Sequence, residues 1–270
     1  MSYKSIFSVA TPTDEDDAVD TAIACARKWS AHLDVTCTTA DAIDVPTFVA
    51  PDMVVAAPTL RDDDAKALEE VQKRLEQRLT GETFGWSVDA FATYGADVAR
   101  RLAQTNRFAD LAVLAASGAE PSGLMHGVLE ALLYTSRVPV LLAPDGIESD
   151  FDRVMLAWDG SDAALAATRA ALPILAQAAS VEIVIVEPES DTMGHDLAIM
   201  LNRHGTPAPV MGLTRNGKRI AEALTDHARD TEADLIVMGA YGHRRLREIF
   251  IGGVTRNMLG AAPVPLFLAR

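Results

Sequence analysis

Asp234-Leu-Ile-Val-Met-Gly-Ala-Tyr-Gly242 is the stretch on which the fold turns. Its apolar run reads as a buried parallel strand, and Gly239 and Gly242 read as a turn at the strand's end. After nine further residues comes Gly252-Gly253-Val254-Thr255, running into Arg256-Asn-Met-Leu259, which reads as the start of a helix. One glycine turn closing a strand and another opening a helix suit a phosphate chain. Glycine lets the backbone approach closely. The first-turn N–H groups of a helix have no internal partner, and the positive end of the helix dipole favours an anion. The segment predicts a nucleotide-phosphate cradle.

Working outward, the stretch has a counterpart upstream. Asp110-Leu-Ala-Val-Leu-Ala-Ala-Ser-Gly118 is followed by Val138-Pro-Val-Leu-Leu-Ala143, just as Asp234–Gly242 is followed by Val264-Pro-Leu-Phe-Leu-Ala269. The openings also correspond: Ile6-Phe-Ser-Val-Ala10 and Val154-Met-Leu-Ala-Trp158 each precede a polar turn and an alanine-rich helix. Self-similarity at a domain-sized period implies duplication. The seam is the polar stretch Pro144-Asp-Gly-Ile-Glu-Ser-Asp150, which divides the chain into units 1–146 and 150–270.

In the second unit, strands are expected at 153–158, 181–187, 208–213, 234–239 and 264–269, with helices near 161–179, 193–204, 217–231 and 254–261. This alternation predicts an α/β fold: two tandem, doubly wound, parallel five-stranded sheets of Rossmann-like type, with helices on both faces. In the first unit, Asp62-Asp-Asp64 opens a helix running from Ala65 to Leu79, its acids complementing the dipole. Residues 40–61, with three prolines, read as an irregular connector or a lid.

Composition narrows the function. A net charge of −14 argues against a nucleic-acid partner, because phosphate backbones repel it. The acid is uneven: residues 1–146 hold 22 acidic and 12 basic side chains, the remainder 16 and 12. No apolar run approaches the roughly 18–20 residues that span a membrane, and the N-terminus lacks a secretory pattern. Cys25 and Cys37 form no Cys-x-x-Cys pair and read as reduced core thiols in a cytoplasmic protein. The six histidines have no metal-ligand spacing; His195 and His204 are expected to face solvent.

Open parallel sheets bind ligands at the carboxyl ends of their strands. After the first strand of the second unit comes Asp159, which could accept hydrogen bonds from a ribose or an adenine amine; alternatively Asp159 or Ser161 simply caps the next helix. After the second come Val186 and Glu187, where a backbone group could meet a base edge. After the fourth come Met238, Gly239 and Gly242. The connector then supplies His243, Arg244, Arg245 and Arg247, which answer phosphate charge or form a solvated face.

With these residues in view, the chain resembles a tandem member of the universal stress protein family. That family's signature is Gly, two residues, Gly, nine residues, then Gly followed by Ser or Thr. It stands here as Gly239, Gly242, Gly252 and Gly253. The resemblance implies an adenine nucleotide, ATP or its relatives ADP and AMP, with Mg²⁺ arriving only with the nucleotide. By resemblance, Asp159 and Val186 meet the adenosine. Met238, Gly239 and Gly242 line the base of the site, and Gly252, Gly253, Val254 and Thr255 hold the phosphates. Gly253 departs from the family's Ser or Thr; a lost bond of that kind costs about 1.5–3 kcal/mol.

The first unit departs further. Thr11 replaces Asp159, Ala115 replaces Gly239, His126 and Gly127 stand opposite Gly252 and Gly253, and the connector is two residues shorter. This unit reads as one that has lost the nucleotide site. In the family, single-domain copies pair through their last strands, so the two units are expected to form an intramolecular pseudo-dimer, with a homodimer also open. Three functions follow: a stress-response nucleotide sensor, a nucleotide-free scaffold or small-ligand binder, and a slow ATP hydrolase with His243 as its nearest base. No Walker lysine and no Gly-x-Ser-x-Gly elbow is present.

Overall fold

A computed structural model of the 270-residue chain describes residues 2–13, 17–39, 62–93, 95–116, 123–144, 150–240 and 253–270. Gly118, Gly242, Gly252, the connector residues His243, Arg244, Arg245 and Arg247, and residues 40–61 lie outside the described residues.

The first half contains β1 (Ser5–Ala10), α1 (Asp17–Trp29), β2 (His32–Thr39), α2 (Asp62–Leu79), β3 (Trp86–Ala92), α3 (Gly95–Thr105), β4 (Leu111–Ala115), α4 (Leu124–Ala131) and β5 (Val140–Ala143). A π-helical turn, Leu132–Ser136, extends α4. The second half contains β6 (Arg153–Ala157), α5 (Asp162–Leu175), β7 (Ser180–Val186), α6 (His195–Arg203), β8 (Val210–Leu213), α7 (Ile220–Asp230), β9 (Leu235–Gly239), α8 (Gly253–Ala261) and β10 (Leu266–Ala269).

The strands form one ten-stranded sheet in the order β3-β2-β1-β4-β5-β10-β9-β6-β7-β8. Every neighbouring pair is parallel except β5 and β10, which run antiparallel. The two expected five-stranded sheets are therefore continuous with each other, through the last strands of the repeat. At their junction Leu141 faces Phe267, flanked by Leu142 opposite Leu266 and Val140 opposite Leu268. Leu141 and Phe267 hold matching places in the two halves, so the join is self-complementary, like a two-fold contact between identical subunits.

Both faces of the sheet are covered. Ile6, Leu33, Val35, Leu141, Val154, Ile183, Leu235 and Phe267 point to one core. Their alternates Phe7, Val9, Leu114, Val140, Met155, Val184, Ile236 and Leu268 point to the other. Strand alternation dictates this division, and burial on both sides explains the unbroken apolar runs.

One polar device is also duplicated. The Asp110 carboxylate accepts from the N–H groups of Lys4 and Ser5 at 2.7 and 3.1 Å. Asp234 accepts from those of Asp152 and Arg153 at 2.8 and 3.0 Å. Each acid thus ties the start of a half's fourth strand to the start of its first. Among the described residues, no helix is long and apolar enough to cross a membrane.

Candidate functional site

The strand order reverses between β6 and β9, which opens a crevice at their carboxyl ends. A cavity of about 230 Å³ lies there. Its floor comes from the last residues of β6, β7 and β9: Ala157, Val184, Val186, Met238 and Gly239. One wall is Ile220 and Leu224 of α7, another is Met193, and the roof is the first turn of α8, Gly253, Val254 and Thr255.

The sequence-based site residues converge on this cavity. Asp159, Val186, Met238, Gly239, Gly253, Val254 and Thr255 all line it. The ends of β6, β7 and β9 and the start of α8 thus meet where the repeat and the glycine spacing place them.

The polar end of the cavity is set by the turn after β6. Gly160 occupies the left-handed region at φ +77°. Ser161 is the N-cap of α5, its hydroxyl accepting from the Ala164 N–H at 3.1 Å. Asp159 Oδ1 accepts from the Ser161 N–H at 3.0 Å. The capping alternative is the one seen: Ser161 caps the helix, and Asp159 braces the turn through one oxygen. The other oxygen of this exposed carboxylate has no hydrogen-bond partner among the described residues.

Gly239 and Gly253 serve different ends. A Cβ on Gly239 would lie 2.4 Å from the Ala164 nitrogen and 2.9 Å from its Cα. The close approach demanded at Gly239 is that of α5 onto β9. At Gly253 a Cβ would meet nothing within 4 Å among the described residues. Thr255 is buried, at 4 % exposure.

Glu187 carries a feature that composition did not announce. Its backbone is left-handed, at φ +56°, which is uncommon for a residue with a Cβ. The turn aims its carboxylate at the next loop, where Oε1 accepts from the Arg215 N–H at 2.8 Å. The Arg215 guanidinium lies 3.8 Å from the same oxygen. This clasp ties the end of β7 to the loop that leads into α7. Met193, Ile220, Leu224 and Glu189 also line the cavity. None of the four was legible in the sequence, because each reaches the cavity from a loop or helix start with no motif of its own.

The lining contains three carboxylates, Asp159, Glu187 and Glu189, and no Lys or Arg among the described residues. Such a surface supplies acceptors for hydroxyl or amine donors, and an apolar slot for a flat ring. Its anion-binding capacity among the described residues is the first turn of α8. Among the described residues no group of three or more His, Cys, Asp or Glu side chains is arranged to hold a metal ion. His195 and His204 are exposed.

Comparison with known proteins agrees with this architecture. A family model described as the universal stress protein family matches residues 203–270. A universal stress protein of Thermus aquaticus is 33% identical over 137 residues, a match covering 44% of this chain and 99% of that protein. Among solved structures, a universal stress protein from Archaeoglobus fulgidus DSM 4304 superposes with a TM-score of 0.71 at 17% identity, over 98% of this chain and 96% of that one. A putative universal stress protein from Pseudomonas aeruginosa UCBPP-PA14 gives 0.64 at 15% identity, over 99% and 93%. At these identities the two structural likenesses speak for the fold alone.

Proposed function

The chain belongs to the universal stress protein family, and from that premise we propose that it is a cytoplasmic stress-response protein binding ATP, or its relatives ADP and AMP, in the cavity between β6 and β9. The observation that carries this reading is the convergence of seven motif residues on one cavity. Asp159 receives ribose hydroxyls or the adenine amine on its open oxygen, and Val186 and Met238 bracket the base. Gly239 keeps α5 close to the floor. Gly253, Val254 and Thr255 present the start of α8 to the phosphates, with Gly242 and Gly252 completing the cradle. Mg²⁺ enters only as a companion of the phosphates. The units are 1–146 and 150–270, the second carrying the nucleotide and the first pairing with it as a subunit would.

The site offers donors and acceptors for binding. No Lys, Arg or His is among its described lining residues, and in this reading nucleotide occupancy, with slow turnover at most, is the functional event. Calorimetry with ATP, ADP, AMP and adenosine tests this, with one binding event per chain expected. Asp159→Ala should weaken adenosine and ATP alike, by roughly tenfold to a hundredfold for a lost charge-assisted bond of about 1.5–3 kcal/mol. Unchanged affinity would remove Asp159 from the site, and no binding of any of the four would end the nucleotide reading. A second reading, a binder of small non-nucleotide ligands or a scaffold, is favoured by the three carboxylates on the lining, which repel a polyphosphate. Binding of adenosine without ATP would support it.

A further inference from the structure

We propose that the first half has a ligand site of its own, at the carboxyl ends of β1, β2 and β4, for a small oxyanion such as phosphate or a phosphate monoester. The site is the repeat's mate of the cavity between β6 and β9, with different chemistry.

Register fixes the correspondence. Leu33 pairs with Ile6 as Val181 pairs with Val154, so Thr36, Thr38 and Thr39 stand where Val184, Val186 and Glu187 stand. Leu33, Val35 and Cys37 point to one core, and Thr36 and Thr38, alternating with them, point to the other face. That face carries Val9, Val98, Leu114, Val128 and Leu129. The two valines that floor the second-half cavity are thus replaced by their hydroxyl-bearing isosteres.

Those hydroxyls are costly unless used. Thr38 is 0 % exposed, and its Oγ1 has no hydrogen-bond partner among the described residues. A buried unpaired hydroxyl costs free energy that valine would not. His126 repeats the pattern from the opposite side. It lies in the first turn of α4 at 6 % exposure, and its Nδ1 is also unpartnered among the described residues. Its Nε2 is 3.7 Å from Glu130 Oε1, on the outer side. A ring N–H is a donor, and Nδ1 is the ring nitrogen left without a partner among the described residues. The N-cap of α4 is Gly123, which brings no side-chain cap to the first-turn N–H groups.

Charge points to the ligand class. At the strand ends of the second half stand Asp159 and Glu187; at the matching places stand Thr11 and Thr39. Two carboxylates have become hydroxyls, while helix-start amides, an imidazole and a free threonine hydroxyl supply donors. That set suits an oxyanion. It lacks the aspartate that a ribose would need, so the ligand is the anion itself or a compact ester of it.

The probe is inorganic phosphate, added to the full-length protein in a buffer free of other oxyanions. The unfolding midpoint should rise with phosphate concentration as a site specific to the native state fills, and the His126 imidazole resonance should shift. Thr38→Val and His126→Gln should each abolish that part of the rise, while Asp159→Ala retains it. Thr38→Val is isosteric, so it folds, and without phosphate it should be at least as stable as the parent. A stationary His126 signal under phosphate, or equal phosphate responses in the parent and Thr38→Val, would overturn the site and leave bound water only as the hydroxyl's partner. Nucleotide titrations report on Asp159 and the second half, so either reading can fail without the other.

Discussion

Gly239 and Gly253 face one cavity under opposite constraints, so their substitutions separate packing from binding. Gly239→Ala should destabilise the protein by about 1–3 kcal/mol, the range for overpacking against fixed neighbours, because the atoms it would meet are backbone. A urea unfolding curve reads that loss without any nucleotide. Gly253→Ser restores the hydroxyl usual in the family, in open space. It should tighten ATP about tenfold, the equivalent of one modest charged hydrogen bond, and leave adenosine unchanged. Equal tightening of both ligands would place that hydroxyl away from the phosphates. Cys25 supplies a pH test. Burial pushes its thiol up to about 12, and burial likewise holds the Tyr3 phenol well above its usual range. The unfolded chain releases these protons first, so their contribution is complete below about pH 8.5 and is lost as pH rises toward 12. Urea midpoints should be level at neutral pH and fall above it, with a shallower fall in Cys25→Ala.

At the scale of elements, the strands were legible because both faces are buried, and their apolar runs stand out between polar turns. Their edges were less so. The strand expected at 208–213 begins at Val210, since Pro207 and Pro209 have no N–H for a ladder. The helix expected at 161–179 ends at Leu175, although Pro173 lies inside it. Asp62–Leu79 begins three residues before Ala65, the acids being part of the first turn. In the site, the glycine spacing and Asp159 were legible because both follow strand ends. The left-handed Glu187 was not, because no glycine marked it and its partner Arg215 is brought there by β8. The wall from Ile220 and Leu224 depends on α7 packing beside α8, a contact no local pattern encodes, and Met193 arrives from the turn between β7 and α6. The join between halves offers its own test. Phe267→Ala should cost about 3–5 kcal/mol, as for a buried aromatic. Phe267→Leu, which copies the residue at position 141, should cost under about 1.5 kcal/mol. Similar losses in both would mean that shape at the join, rather than buried volume, sets its stability.

At the scale of the whole molecule, the ten strands form one unit whose halves have diverged at the carboxyl ends of their strands. Interactions beyond the sheet also cross between them. The Tyr3 hydroxyl donates to the Ala170 carbonyl at 2.7 Å, and the Arg270 guanidinium lies 3.9 Å over the Tyr134 ring. Covalent linkage makes the pairing of β5 with β10 unimolecular. Two separate chains meeting through those edges would come apart on dilution and could trade partners with any similar chain in the cell. Here the unlike halves remain in fixed one-to-one ratio at any copy number, and the edge through which such exchange would occur is already filled from within.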